Sequence, residues 1–371
     1  MRAFTSQKKL YVLLPNLDLG GAERVVVTLL RYFDRMKFDC CLVVLGRDDG
    51  ALAAYLPSDI RVIYLNKPRV LLATPALVCL LWRAKPDLIF TNLSHLNLVL
   101  AMVRFLLPSK IKIIARESNV VSINVRQYQA HAIWSFFYKI FYRRLDKIVC
   151  QSMVMQNDLI ENFCVPVEKT VVILNPVDVN AIKTLAKKGE VKVIPQRGTD
   201  SFRFVFVGDL RPQKRVDRLL KAFAIIPKGL ASLDIIGDGV ERQMLHNLCN
   251  DLALSDRVRF VGFQPNPYGW IDVADALLLT SDFEGAPNVV LEALALATPV
   301  ISTPANGTVS ELLANQSGCL ISQESTAESF AEAMNDWLKL RNEAPSKRAV
   351  SHHDVTQIKR QYEEQFLGLL S

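Results

Sequence analysis

Two glutamates eight residues apart, Glu284 and Glu292, carry the sharpest chemical signal in this 371-residue chain. Between them stand Gly285, Ala286, Pro287, Asn288 and Val289. The apolar run Ala276–Leu279 reads as a strand, and a helix opens near Pro287 or Asn288. That helix is apolar almost all round, which marks it as buried. Glu292 lies one turn inside it, where a carboxylate is costly unless it is paired. The free N–H groups of the helix start can receive an anion. The segment therefore offers an anion seat flanked by two carboxylates able to hold hydroxyl groups. A nucleotide sugar has both groups, phosphates and a polyol. The alternative is a pair of structural salt bridges.

A second candidate is Gly208-Asp209-Leu210-Arg211-Pro212-Gln213-Lys214-Arg215, at the end of the expected strand 202–207. Arg211, Lys214 and Arg215 make a cationic loop suited to a diphosphate. Gly20-Gly21-Ala22-Glu23 follows the first strand, where glycine permits close backbone approach and a helix start favours phosphate. A tight strand-to-helix turn explains it equally. Gly237-Asp238-Gly239 reads either as a ligand-facing loop or as plain turn chemistry. The backbone of Val261-Gly262-Phe263 could read a base edge or simply leave a strand. Arg116-Glu117-Ser118-Asn119 ends a strand in the first half and supplies candidate acceptor or leaving-group contacts, Arg116 first among them.

Other chemistries lack their residues. The histidines show no metal spacing, and no G-x-G-x-x-G, G-x-S-x-G or C-x-x-C is present. No D-x-D falls in a strand-end loop, so no metal is expected, and cations with a helix end must do a metal's work at a diphosphate. No cofactor is expected. Seven scattered cysteines, mostly in apolar runs, fit small core residues in a reducing cytoplasm.

The elements that position these residues alternate strand and helix throughout, which predicts doubly wound parallel sheets, an α/β fold. Residues 1–180 form one half, 181–200 a linker, 201–350 a second half, and 351–371 a last helix. Ligands in such sheets bind at strand carboxyl ends, so the expected site lies in the cleft that two such domains face. Residues 126–144 read as one long helix whose stripe Ile133, Phe136, Phe137, Ile140 and Phe141 is expected in the core. The other reading puts Trp134, Tyr138, Tyr142, Arg143 and Arg144 at a lipid interface. No run is long enough to span a bilayer, and the polar start lacks a signal-peptide pattern. Residues 1–180 hold 23 Lys/Arg against 14 Asp/Glu. Such a basic half suits an anionic membrane, an anionic substrate or nucleic acid, or is ordinary solvated surface.

Taken in order, Gly20-Gly21-Ala22-Glu23, Asn175-Pro176-Val177-Asp178, Val207-Gly208 with Lys214, Ile236-Gly237-Asp238-Gly239, Val258 to Phe263 and the Glu284/Glu292 pair resemble the family 4 glycosyltransferases, retaining enzymes of the GT-B fold. The resemblance spans nearly the whole chain. It implies two Rossmann-like domains, an acceptor-side domain and a nucleotide-sugar domain, with the last helix crossing back to the first. It implies transfer of a hexose or N-acetylhexosamine from a UDP- or GDP-sugar to a glycan or polyprenyl-linked acceptor in bacterial surface polysaccharide synthesis. The enzyme would be cytoplasmic, in peripheral contact with an anionic membrane, with no nucleic acid partner.

By the same resemblance Glu292 holds the ribose and Glu284 the transferred sugar. Backbone N–H groups near Gly285, Ala286, Asn288 and Val289 meet the phosphates, Lys214 neutralises the leaving diphosphate, Gly20 and Gly21 approach the donor, and the base is read near Phe263. Two positions depart from the pattern. Asp209 stands where the family has arginine, with Arg211 as its substitute, and Arg116 stands in for a first-domain histidine. The rival readings are a nucleotide-sugar epimerase of the same architecture and a non-catalytic nucleotide-binding module.

Overall fold

A computed structural model describes residues 7–18, 20–47, 50–189, 191, 201–305, 309–314, 316–340 and 350–371. The chain divides into two units, 1–176 with 352–371, and 177–351.

Unit 1 holds strands β1 (Lys8–Leu14), β2 (Phe38–Val44), β3 (Arg61–Tyr64), β4 (Leu88–Asn92), β5 (Lys112–Arg116), β6 (Lys147–Cys150) and β7 (Thr170–Val172). They form one parallel sheet in the order β3-β2-β1-β4-β5-β6-β7. The strands read as near-continuous apolar runs because helices cover both faces. In β1, Leu10, Val12 and Leu14 enter one core, while Tyr11 and Leu13 enter the other. Helix Val355–Leu370 covers the first of these cores. Its Phe366 ring lies 5.4 Å from Phe33 and 5.6 Å from Phe90. Its buried Glu363 accepts the Asp34 N–H at 2.8 Å and pairs with Lys37 and Lys359. The last helix is thus part of unit 1.

Unit 2 holds β8 (Phe202–Val207), β9 (Ala231–Ile236), β10 (Val258–Gly262), β11 (Ala276–Leu279), β12 (Val300–Ser302) and β13 (Leu320–Ile321). Their order is β10-β9-β8-β11-β12-β13, again parallel. In this sheet the chain moves outward one way from β8 and the other way from β11. The crevice of a doubly wound sheet opens where that direction reverses, between the carboxyl ends of β8 and β11. In unit 1 the same reversal falls between β1 and β4.

Several boundaries differ from the sequence reading. The units divide after Pro176, not at 180. The start of the expected linker is helix Val179–Lys188, capped by Asp178, whose side chain accepts the Ala181 N–H at 2.9 Å. It buries Ile182 and Ala186 in unit 2; an apolar face outweighed its local lysines. Residue 190 and residues 192–200 of that linker lie outside the described residues.

The long helix expected over 126–144 is two helices, Val121–Arg126 and His131–Phe141, followed by a 3-10 turn at Tyr142–Arg144. The first sinks Val121 and Val125 into the core, and its Ser122 N–H donates to Asp158 at 3.0 Å. Ala130, at φ −105° and ψ 45°, breaks the path between them. The core stripe expected on the second helix is also displaced. Ile133 and Phe136 are each 56% exposed, whereas Tyr138 and Tyr142 are buried. The Tyr142 hydroxyl reaches a buried carboxylate, described below, that a phenylalanine could not satisfy.

Candidate active site

The unit 2 switch point brings together the loop after β8 and the loop after β11. Lys214 Nζ donates to Glu284 Oε1 at 2.6 Å, and Ser281 Oγ donates to the same oxygen at 2.6 Å. Glu284 is buried (6% exposed), so the lysine and serine provide the pairing a buried carboxylate requires. Backbone contacts stitch the two loops along their length. The Asp282 N–H donates to Gln213 O at 2.9 Å, Gln213 Nε2 donates to Phe283 O at 2.9 Å, and Thr280 Oγ1 donates to Lys214 O at 3.0 Å.

Arg218 completes the stitching from the helix Val216–Ile225. It is 6% exposed and donates to Thr280 O at 2.9 Å and to Asp282 Oδ1 at 2.6 Å. Arg215 reaches Asp282 at 3.3 Å from the left-handed backbone position that starts this helix, φ 50°. The sequence reading held Gln213, Arg215, Ser281 and Asp282 within its candidate stretches, gave Gln213, Ser281 and Asp282 no role, and missed Arg218. A signal for Arg218 was present: an arginine among Val216, Leu219 and Leu220 on an apolar helix must have a buried partner.

Helix Asn288–Ala295 follows, with Pro287 at its N-cap and no side-chain cap. Gly285 is buried, and Ala286, Asn288 and Val289 are half-buried along its entry. Glu292, 8% exposed, accepts a hydrogen bond from Tyr268 Oη at 3.3 Å. Both glutamates therefore occupy one strand-end region with a helix N-terminus between them in the chain.

The other residues expected at the site take these places. Arg211 is largely exposed and pairs with Asp209 at 2.7 Å, so its charge is directed within its own loop. Phe263, 51% exposed, leaves the carboxyl end of β10 just after Gly262. Gly237 is needed for close packing, because at its φ of +143° a Cβ would lie 1.9 Å from Gly208 O. The close approach lets the Gly208 N–H donate to Ile236 O and the Leu210 N–H donate to Asp238 O, each at 3.0 Å. The Gly-Asp-Gly turn thus seats the cationic loop.

In unit 1, Gly20 caps helix Gly21–Tyr32 after β1, at the second switch point, and Asn92 Nδ2 from the end of β4 donates to Ala22 O at 2.9 Å. Arg116, expected to contact the acceptor or leaving group, is buried inside unit 1. It is 1% exposed and donates to Asn92 Oδ1 at 2.9 Å and Asn175 Oδ1 at 2.5 Å. Its guanidinium ties the ends of β4 and β5 to the segment after β7, a scaffold position. Asn175 O in turn meets His353 Nδ1 at 2.8 Å.

Beside Arg116, the fully buried Glu117 accepts from Ser94 Oγ at 2.6 Å, from Asn97 Nδ2 at 2.8 Å and from the Tyr142 hydroxyl. Burial pushes its carboxyl above the usual range, and the three donors oppose that shift. Among the described residues, no group of three or more His, Cys, Asp or Glu is arranged to hold a metal ion.

Two parallel α/β units, each with a switch point, and a lysine–carboxylate pair at one of them define a two-domain α/β enzyme of the GT-B class. The comparisons with known proteins agree. Residues 19–181 match the family described as Glycosyltransferase Family 4, and residues 187–351 match Glycosyl transferases group 1. The chain belongs to this family and is a glycosyltransferase.

An uncharacterised glycosyltransferase of Methanocaldococcus jannaschii is 29% identical over 244 residues, 63% of this chain and 60% of that protein. An N-acetylgalactosamine-N,N'-diacetylbacillosaminyl-diphospho-undecaprenol 4-alpha-N-acetylgalactosaminyltransferase of Campylobacter jejuni is 26% identical over 343 residues, 90% of each chain. Among solved structures, Anabaena HepE in complex with UDP and glucose superposes with a TM-score of 0.75 at 20% identity, covering 98% of this chain and 100% of that one.

Proposed function

We propose that the enzyme transfers a hexose or N-acetylhexosamine, with retention of anomeric configuration and without a metal ion, from a UDP- or GDP-sugar to a glycan or polyprenyl-linked acceptor of surface polysaccharide synthesis. The observation that carries this reading is the Lys214–Glu284 pair at the unit 2 switch point, beside the start of helix Asn288–Ala295. A diphosphate placed there meets the lysine and the helix N–H groups, and both favour the charge it gains on leaving. The relative whose acceptor is diphospho-undecaprenol-linked supports the lipid-linked acceptor. Such an acceptor would keep a cytoplasmic enzyme at the inner membrane face.

In the proposed step the bond from the anomeric carbon to the diphosphate oxygen breaks, and the oxygen keeps the electron pair. The acceptor hydroxyl forms the new bond on the same face, and its proton passes to the departing phosphate oxygen. Lys214 stabilises the developing charge. Glu284, held by Lys214 and Ser281, accepts hydrogen bonds from sugar hydroxyls, and Glu292, oriented by Tyr268, does so from the ribose. Backbone N–H groups of Gly285, Ala286, Asn288 and Val289 bind phosphate oxygens. Phe263 marks where the base is read. Gly20 and Gly21 are assigned donor contact, and Arg211 is a secondary cation that would first have to release Asp209. No observation favours the epimerase or non-catalytic reading.

The test is thermal shift of the purified protein against UDP- and GDP-sugars, since a bound donor raises stability by mass action. Product analysis with lipid-linked acceptors in chelator, with the new anomeric centre read by NMR, then follows. A selective donor and a retained configuration support the reading; no response to any nucleotide sugar, or an inverted product, contradicts it.

A further inference from the structure

The order β10-β9-β8-β11 sets three strand exits side by side in unit 2. Lys214 follows β8, Asp238 follows β9 and Phe263 follows β10. Two strand spacings put the β10 exit about 10 Å from the β8 exit. The Gly237 N–H donates to Gly262 O at 2.9 Å, which ties the β9 and β10 exits together. The chain leaving Phe263 soon reaches Tyr268, whose hydroxyl donates to Glu292 at 3.3 Å. With the diphosphate at Lys214 and the ribose at Glu292, as proposed, the base falls at the β9 and β10 exits.

Helix Arg242–Asp251 brings one side chain onto that spot. Its His246 ring stacks on Phe260 of β10, centroids 4.0 Å apart at 29°. Helix and strand run in opposite directions, as a crossover connection requires. One helical turn back from His246 is about 6 Å, and two residues onward from Phe260 is about 6.6 Å. Arg242 therefore arrives over Gly262. A Cβ on Gly262 would lie 3.7 Å from Arg242 Nη1 and 3.9 Å from Nη2.

Asp238 holds this guanidinium. Its Oδ2 accepts from Arg242 Nη1 at 2.6 Å, and its Oδ1 accepts the Gly239 N–H at 2.8 Å, so both oxygens are occupied. Among the described residues Arg242 has no other side-chain partner, and the N–H groups on Nε and Nη2 stay unspent. Arg242 and Asp238 are 41% and 50% exposed, and an ion pair that open adds little stability. The Phe263 ring, 51% exposed, has no ring or cation partner among the described residues.

We propose that Arg242, aimed by Asp238, selects a donor whose base turns a carbonyl toward it, uracil or guanine, while Phe263 stacks on the ring. The inference rests on the proposed nucleotide-sugar donor and deepens it. A guanidinium only donates. Uracil O4 and guanine O6 accept, whereas cytosine and adenine carry an amino group at the matching position. An amino base would set N–H against N–H and leave both groups unpaired. Stacking tolerates every base, because each has a π face. Phe263 thus holds the ring and Arg242 chooses it.

Calorimetric titration of the full chain with UDP, CDP, GDP, ADP and inorganic pyrophosphate tests this. UDP and CDP differ at the base in the carbonyl and amino groups at issue, and GDP with ADP is the purine counterpart. The wild type should bind the keto member of the pair it accepts about tenfold or more tightly than the amino member. Arg242→Met should bring the two close to equal and leave pyrophosphate affinity unchanged. Phe263→Ala should weaken both members alike. Gln243→Ala, the next residue on the same helix, should alter none of these affinities, and melting temperatures without ligand check that each variant folds. Equal binding of keto and amino bases by the wild type overturns the inference. So does a preference that Arg242→Met retains, or a Phe263→Ala variant that binds every diphosphate normally. A wild type that binds no nucleotide fails the donor reading itself, an outcome distinct from these.

Discussion

Lys214 Nζ and Glu284 Oε1 lie 2.6 Å apart at the point where the unit 2 sheet reverses direction, and each residue is held by its own set of partners. The lysine backbone is fixed by Thr280, and the glutamate by Ser281. The pair is therefore held in place by the protein itself, as the proposed stabilisation of a leaving diphosphate requires. Lys214→Ala is expected to lower kcat/KM by about 10²–10³, the size seen for loss of one preorganised donor to developing charge. Lys214→Arg should recover part of it. Steady-state kinetics with the selected donor check both, and full activity in the alanine variant would remove Lys214 from the mechanism.

The same pair bears on stability. Lys214→Ala leaves Glu284 buried with one neutral donor, which costs about 3–5 kcal/mol for a fully buried pair and less here, where the lysine retains 20% side-chain exposure. Lys214→Ala with Glu284→Gln should regain much of that loss in urea unfolding while staying inactive. Such a split separates the structural from the chemical contribution.

Arg218 touches the proposed site through Thr280 O and Asp282. Arg218→Met keeps the volume but leaves Thr280 O and Asp282 without this donor. Loss of a buried charged hydrogen-bond partner costs about 1.5–3 kcal/mol. Activity is expected to fall through kcat more than through donor KM, because the loop carrying Glu284 loses its tether. A variant with unchanged kcat would show that the tether is redundant.

Gly237→Ala should be far worse than Gly229→Ala. Both glycines have positive φ, but a Cβ at Gly229 meets open space, while at Gly237 it would sit 1.9 Å from Gly208 O. Strain at Gly229 is worth about 1–2 kcal/mol. At Gly237 the loop 208–210 must also move, so both melting temperature and activity should drop. Equal melting temperatures for the two variants would contradict the seating role of this turn.

Glu117 gives a pH signature. Burial raises its carboxyl pKa above the unfolded value, against the opposing pull of its hydrogen-bond donors. Between those two values the native state binds more protons than the unfolded chain, so stability is full below about pH 4.3 and falls as pH rises through the folded value. Glu117→Gln should remove that component, leaving a flatter dependence of melting temperature above about pH 5 than in the wild type. Parallel curves would mean that Ser94, Asn97 and Tyr142 hold Glu117 ionised.

The fold was legible because parallel strands buried on both faces are plain apolar runs. Ala276–Leu279 and Phe202–Val207, for instance, emerge with the bounds their residues suggest. The chain order also carries the motifs at the ends of β8 and β11. What could not be read was partnership. Nothing local says that Arg211 bonds Asp209, that Arg116 faces inward to two asparagines, or that Arg218 reaches Asp282, because each partner lies in a different loop or is one of several nearby choices. The helix His131–Phe141 misled for a related reason. A helical stripe records which residues share a side but not which side is covered, and Tyr138 rather than Phe136 faces the sheet.

The most direct measurement is calorimetric titration of the purified wild type, Lys214→Ala and Glu292→Ala with the UDP- or GDP-sugar that stabilises the protein, and with its nucleoside diphosphate. The account predicts one-to-one binding by the wild type. The lysine variant should lose affinity for the diphosphate and its sugar alike by about tenfold or more, as expected when a charged partner is removed. The glutamate variant should lose it by a similar factor through the ribose. Unaltered affinity in both variants, or no nucleotide sugar bound by the wild type, would contradict the placement of the donor at the Lys214–Glu284 switch point.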